Sequence, residues 1–416
     1  MKFNFGKTFL LGLGFFGVSV IWSVYNAFVP IFLADRFLVA AGFIGFFMTL
    51  DNIAALLIQP AVGAWSDRLR TPLGRRIPFI IIGAPLAALA FILLPISKSL
   101  ILFFLAATLL LLSMAVWRTP VVALMPDITP SKHRSQANGI INFMGGIGAI
   151  IAFLGGSALY KMNPNYPFLL GSGLVAISAL LVFLFIKEPK VMTEKAEETP
   201  TLKESINFIL HDSDKSALRI LFAIFFWFIA YNGIEAFFTL YARNHLGMAE
   251  ADGARLLGQL SLFFVLFSLP SGYIGAAFGR RRTIMTGIIL MAACVALMYF
   301  LPASTLATLI TKLPVLGEVP IVGIILMAAG ISWALININS LPMVVDMTES
   351  SRIGTYTGLY YLFSTLAAIL GPIMYGLIIQ FSGNLFSLVM LVSPLFLMMA
   401  LASIAGVKGG EARLEG

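Results

Sequence analysis

The sequence predicts an all-α membrane protein whose twelve transmembrane helices form two repeated six-helix halves. Three observations carry that reading. Of 416 residues, 59% are hydrophobic and only 11% are charged, whereas water-soluble domains average about 25% charged residues. Twelve apolar runs are each long enough to cross a bilayer. Finally, landmarks in the first half of the chain recur in the second half at a nearly constant spacing.

The runs lie near 9–33, 40–65, 77–97, 99–124, 138–159, 167–187, 218–241, 255–278, 283–301, 318–344, 354–380 and 384–406. A helix of about 20 apolar residues spans the hydrocarbon core. Backbone groups in lipid must hydrogen-bond within their own segment, which selects helices over open strands. The first run follows Lys2 and Lys7 but exceeds a signal-peptide core and lacks a small-residue cleavage site, so it is expected to stay as the first helix. With the amino terminus inside, Arg36, Lys98, Lys161, Arg243, Arg255 and Lys312 face the far side and Arg118 lies within a span. The other 20 of the 27 Lys and Arg are then cytoplasmic. This is the positive-inside pattern, and it places both termini in the cytoplasm of a multi-pass plasma (bacterial inner) membrane protein. The net charge of +8 thus reports topology, and nucleic acid is not an expected partner. Cys294 is the single cysteine, so no intrachain disulfide can form.

The halves repeat at three places. Trp22, Tyr25 and Asn26 in the first run are echoed by Trp227, Tyr231 and Asn232 in the seventh. Asp127, with Gly139 beyond it, is echoed by Asp346 and Gly358, twelve residues apart in each copy. Gly63 with Gly74-Arg75-Arg76 is echoed by Gly272 with Gly279-Arg280-Arg281-Arg282. The offsets fall between 205 and 220 residues, half the chain. The expected domains are a first six-helix bundle over 1–187, a polar cytoplasmic linker over 188–217 with a short surface helix from Leu202 to Leu210, and a second bundle over 218–416. A functional monomer is expected.

The segment Gly63-x-x-x-Asp67-Arg68 followed by Gly74-Arg75-Arg76 resembles the loop signature between the second and third helices of the major facilitator superfamily. Ser66-Asp67-Arg68 with Gly74-Arg75-Arg76-Ile77-Pro78-Phe79-Ile80 resembles its sucrose-transporter branch, similar to the glycoside–pentoside–hexuronide:cation symporter family, although Ile77 stands where that branch has a third Arg. Pro120-Val121-Val122-Ala123-Leu124-Met125-Pro126, with Thr129 and Arg134, is similar to the end of that family's fourth helix. The resemblance implies the major facilitator fold, two halves that alternate access to a central site, and a sugar as cargo. The signature positions Asp67, Arg68, Gly74, Arg75 and Arg76, with Asp127 and Arg134, and with Asp346 and Arg352 in the second half, are then gating or latch candidates. Their alternative role is a topology signal alone.

Asp51, Arg118 and Glu235 fall deep within spans. A charge at mid-bilayer costs at least roughly 2.5–3.5 kcal/mol, so each should face a cavity or a partner. Asp51, Ala55 and Gln59 are spaced to share one helix face. Melibiose-type carriers of the resembled family hold cation-binding carboxylates at the positions of Ala55 and Gln59, and a sugar-binding carboxylate at the position of Arg118. Neither Ala55 nor Gln59 is acidic, which disfavours a sodium site of that design. Asp51 is therefore the first candidate for proton coupling, with a static pairing to Arg118 as its alternative. Glu235 is the second coupling candidate, against a gate or an Arg243 partner. Plant sucrose carriers' fourth-helix aspartate and arginine align with Leu111 and Val122, so those roles have moved if they are kept.

Trp22, Asn26, Arg118, Trp227, Tyr231, Asn232 and Asn337 are the candidate substrate contacts, with Tyr25, Trp333 and Asn339 in the same group of rings and amides. Aromatic rings stack on the apolar faces of sugars while amides and guanidinium groups take the hydroxyls. Interhelical hydrogen bonding and interface anchoring are the alternative roles. The fifth run carries many glycines but no proline between Pro130 and Pro164, unlike the Gly-Pro-x-x-Gly-Gly element of drug–proton antiporters. His133, His211 and His245 lie in loops without metal-ligand spacing, and no nucleophile–base pair or phosphate loop is present. Neither an enzyme nor a cofactor is expected. The reading is a proton-coupled symporter of a disaccharide or glycoside in contact with membrane lipid. The alternative is an efflux or exchange carrier for another organic metabolite, such as an anion.

Overall fold

The computed structural model describes residues 5–129, 134–188, 215–348 and 352–411. The linker residues 189–214, with the surface helix expected there, and the side chain of Arg134 lie outside the described residues. Twelve helices among the described residues are long and apolar enough to cross a membrane. They are α1 Phe5–Arg36, α2 Ala41–Arg68, α3 Ile77–Ile96, α4 Leu100–Met125, α5 Ala137–Met162, α6 Tyr166–Phe185, α7 Ser216–Asn244, α8 Glu250–Phe278, α9 Arg280–Phe300, α10 Ile321–Val345, α11 Ile353–Phe381 and α12 Leu388–Ala405. Each falls on one of the twelve apolar runs. A two-stranded antiparallel hairpin, β1 Leu309–Leu313 and β2 Gly317–Pro320, joins α9 to α10.

Two compact units emerge, one within Met1–Val39 and Leu50–Glu194, the other within Ala40–Thr49 and Lys195–Gly416. In the first, α1 packs on α5 and α6, and α3 on α4 and α6. The carboxy-terminal end of α1 widens into a π-helical turn, Phe32–Arg36. There Arg36 sits over the Phe32 ring at 4.6 Å and donates to the Pro95 carbonyl at the end of α3. In the second unit, α7 packs on α11 and α12, α8 on α10, and α9 on α10 and α12.

The second run departs from one continuous helix. It is built as Ala41–Phe47, Leu50–Leu57 and Gln59–Arg68. Pro60 accounts for the second break, because proline has no N–H to give and crowds the preceding turn. The first segment groups with the second unit, although the sequence puts it in the first half. Its glycines explain the attachment. A Cβ on Gly45 would run into the Pro372 carbonyl, and one on Gly376 into the Ala41 carbonyl, so the segment lies directly against α11. Gln380 fixes the register by accepting from the Gly42 amide at 3.1 Å. Gly45→Val should lower the thermal midpoint of the detergent-solubilised protein, since overpacking a tight contact costs typically about 1–3 kcal/mol. Gly63→Ala, where a Cβ would meet only Thr119 at ordinary distance, should leave that midpoint unchanged.

Candidate functional site

The membrane-depth charges of the first unit come together. A small pocket is lined by Trp22 of α1, by Asp51, Ala54, Ala55 and Gln59 of α2, and by Leu111, Met114, Ala115 and Arg118 of α4. The i, i+4, i+8 spacing of Asp51, Ala55 and Gln59 does put all three on one wall. Asp51 and Arg118 attract one another electrostatically, yet no ion pair within 4.0 Å joins them among the described residues. The Asp51 carboxylate instead accepts from the Asn52 amide at 2.9 Å. Arg118 has no hydrogen bond within the described residues, so its five N–H donors are available to whatever enters. Trp22 forms the aromatic wall and stands edge-on to Tyr25 at 5.6 Å. Its indole Nε1 is buried without a hydrogen-bond partner among the described residues. A pocket with one anion, one cation, one amide and one indole suits a solute with hydroxyls on one side and an apolar face on the other.

Of the remaining candidates in this unit, Asn26 is half-buried one turn beyond Trp22 and does not line the pocket. Leu111 does line it, where an aspartate would stand in the plant carriers resembled above.

In the second unit, Tyr231 stacks flat on Trp333, centroids 4.0 Å apart and planes 8° from parallel, and Phe228 meets Trp333 edge-on at 5.4 Å. Glu235, one turn further along α7, lies within electrostatic range of the Tyr231 hydroxyl. Asn232 turns its Nδ2 back to the Phe228 carbonyl at 2.7 Å, and Asn337 is half-buried. Trp227 is 0% exposed and lies in the helix packing. The cause is phase: Trp22 precedes Tyr25 by three residues, whereas Trp227 precedes Tyr231 by four. One residue is about 100° around a helix, so Phe228 rather than Trp227 holds the place equivalent to Trp22. Asn339 is also a packing residue, since its Nδ2 donates to Ser271 of α8 and to the Leu335 carbonyl. Arg243 lies 3.9 Å from Glu250.

The arginine signature forms one device in each unit. Arg75 and Arg76 reach Asp127 at the end of α4 at 2.7 and 3.1 Å, and both also pair with Asp67. Arg76, only 5% exposed, additionally donates to the Ser66 hydroxyl. Arg68 is exposed at the end of α2. The residue the sequence reading missed is Glu188, at the end of α6. Its carboxylate accepts from the amides of Arg75, Arg76 and Ile77 at 2.8, 2.7 and 2.7 Å, which caps the start of α3. Gly74 has φ +107 at this point, and a Cβ there would strike that carboxylate. The second unit repeats the arrangement. Arg280 pairs with Asp346 and donates to the Pro342 carbonyl. Glu411 accepts from the amides of Arg280 and Arg281 beside Gly279, whose φ is +96. Arg352 is exposed at the start of α11.

The signal for these two glutamates was the repeat itself. Glu188 and Glu411 are 223 residues apart, close to the 219 that separate Asp127 and Asp346. Glu188→Ala leaves three helix-terminal amides without their acceptor, and losing hydrogen bonds to a charged group costs roughly 1.5–3 kcal/mol. We expect a lower thermal midpoint in detergent for Glu188→Ala and for Glu411→Ala, measured by tryptophan fluorescence, with Glu188→Gln intermediate.

Twelve spanning helices, two units with matching charged devices and a membrane-depth pocket define an integral multi-pass secondary transporter. The chain belongs to the Major Facilitator Superfamily, whose profile matches residues 11–372 and, in an overlapping second match, 253–408. It is 24% identical over 371 residues to the Tetracycline resistance protein, class B, of Escherichia coli, covering 88% of this chain and 86% of that one. It is 27% identical over 153 residues to Sucrose transport protein SUC3 of Arabidopsis thaliana, covering 32% of this chain and 26% of that protein. Among solved structures it is similar to the nucleoside transporter NupG, with a TM-score of 0.74 at 17% identity over 97% of this chain and 100% of the other. That likeness shows the fold.

Proposed function

We propose that this protein is a proton-coupled transporter of a polyhydroxylated solute, a disaccharide or glycoside, in the manner of the sucrose-transporter branch. The observation that carries the reading is the pocket in which Asp51 and Arg118 face common space beside Trp22 without pairing directly. Two opposite charges at membrane depth that do not neutralise each other by contact are suited to bind visitors, a proton at one and hydroxyls at the other. Asp51 is the one carboxylate lining this pocket, so a proton taken up there travels with the solute. The arginine–aspartate devices serve as latches that hold one conformation. Both termini lie in the cytoplasm, and the two halves are the moving bodies, the segment Ala40–Thr49 going with the second. The short match to the sucrose transport protein supports the cargo class.

Proteoliposome uptake under an imposed pH gradient tests the proposal. Inward accumulation of a neutral sugar from a panel, abolished by a protonophore, is the expected result. A second reading, export or exchange of another organic metabolite such as an anion, is favoured by the guanidinium of Arg118, which makes no hydrogen bond among the described residues, and by the match over most of the chain to the Tetracycline resistance protein, class B. Exchange driven by an opposing anion, with no sugar accumulation, would select it.

A further inference from the structure

The hairpin between α9 and α10 has no part in the transport reading, yet it is firmly built. Arg255 of α8, 8% exposed, places Nη1 3.1 Å from Asp252 and 3.4 Å from Glu318 of β2. Gln259, one turn further and fully buried, donates from Nε2 to the Leu316 and Glu318 carbonyls at 3.1 and 2.9 Å. Gly317, at φ +68, brings the turn against the Arg255 side chain. The register pairs Thr311 with Val319, Lys312 with Glu318 and Leu313 with Gly317, and breaks at Ile310.

What this fixed base presents outward is apolar. Leu309, Ile310, Leu313 and Val315 are 54, 54, 41 and 72% exposed, and Lys312 among them is 74% exposed. Isolated exposed apolar side chains are ordinary, but four within seven residues of a held ribbon form a patch that marks an interaction surface. An apolar two-stranded edge left in water would also recruit other chains.

The flanking helices identify the occupant as the lipid surface. Helix α9 has 21 residues, roughly 32 Å at the helical rise and about one hydrocarbon thickness. Its last residue, Phe300, therefore stands at the boundary of the core, and the hairpin begins nine residues later. Leu297 and Phe300 of α9 and Ile324 of α10 are exposed, so the apolar surface of the hairpin continues the lipid-facing surface of the helices on either side. Lysine among apolar side chains suits this level, because its stem lies along the acyl chains while its ammonium reaches the phosphates.

We infer that hairpin β1–β2 is an interfacial anchor: Leu309, Ile310, Leu313 and Val315 enter the acyl boundary of the leaflet opposite Arg280–Arg282, and Lys312 meets the lipid phosphates. The anchor fixes α9 and α10 against the membrane plane, with Arg255 and Gln259 carrying that hold into α8.

Site-directed nitroxides test this in the full chain. Cys294→Ala removes the single cysteine, and Ile310→Cys, Val315→Cys and, as a loop control, exposed Ala249→Cys are labelled one at a time. In phosphatidylcholine vesicles, collision with oxygen should exceed collision with a water-soluble nickel chelate at 310 and 315, and the order should reverse at 249. Nickel accessibility at 310 and 315 equal to that at 249 would place the hairpin in water and overturn the anchor. Protection from both reagents would overturn it too, by showing protein, such as a second copy of the chain, over the patch. All three labelled positions are exposed, so folding is not at stake. Cys294→Ser supplies the same background should the alanine variant express poorly.

Discussion

Asp51→Asn is expected to abolish gradient-driven accumulation while leaving solute exchange intact. A symporter that moves one proton per solute can concentrate its cargo tenfold per pH unit, since each unit is worth about 1.36 kcal/mol. Across a gradient of about two units the wild type should therefore approach a 100-fold accumulation ratio, and the asparagine variant a ratio near one. Asparagine preserves size and hydrogen-bonding reach but cannot exchange a proton, so counterflow with pre-loaded sugar should persist. Loss of both activities would mean that Asp51 holds the pocket in shape. Unchanged uphill uptake would transfer the coupling role to Glu235, beside Tyr231 on α7.

The second large effect is at Arg118. Its guanidinium faces the pocket without a hydrogen bond among the described residues, so removing it should act on the solute before it acts on the fold. Hydrogen bonds to a charged group are worth roughly 1.5–3 kcal/mol, and Arg118→Gln should weaken binding by about 10- to 150-fold. Arg118→Lys separates the two cargo readings. A point charge replaces the planar fork, which forfeits paired bonds to neighbouring hydroxyls while keeping attraction for an anion. A sugar carrier should therefore suffer comparably from either change, whereas an anion exchanger should retain most activity with lysine. Thermal midpoints for both variants close to wild type would confirm that the loss lies in recognition.

The spanning helices were legible because lipid imposes a length and a composition that no soluble element shares. The face joining Asp51, Ala55 and Gln59, and its opposition to Arg118, were legible for a related reason: ionised groups at that depth need shared polar space. Other features were hidden by distance in the chain. Glu188 follows Lys187 and precedes Pro189, so it reads as the start of a solvated linker, and only the folded α6 brings it under α3. The break after Phe47 has no proline to announce it; it belongs to glycine contacts with α11, more than 300 residues away. Trp227 shows the limit of a repeat taken by composition, since a one-residue slip in phase moved it from pocket wall to core. The hairpin was unmarked because its five-residue first strand is too short to stand out from a loop.

The buried indole nitrogen of Trp22, without a partner among the described residues, gives the protein an optical property. Indole emission shifts to longer wavelength when water or a hydroxyl reaches the ring; Trp117 and Trp227, both 0% exposed, supply a steady background once Trp65, 61% exposed, and Trp333 are replaced by phenylalanine. Trp22 at the wall of the Asp51 pocket thus serves as a label-free gauge of occupancy. Candidate cargoes can be ranked by titration in the cuvette before a single vesicle is loaded.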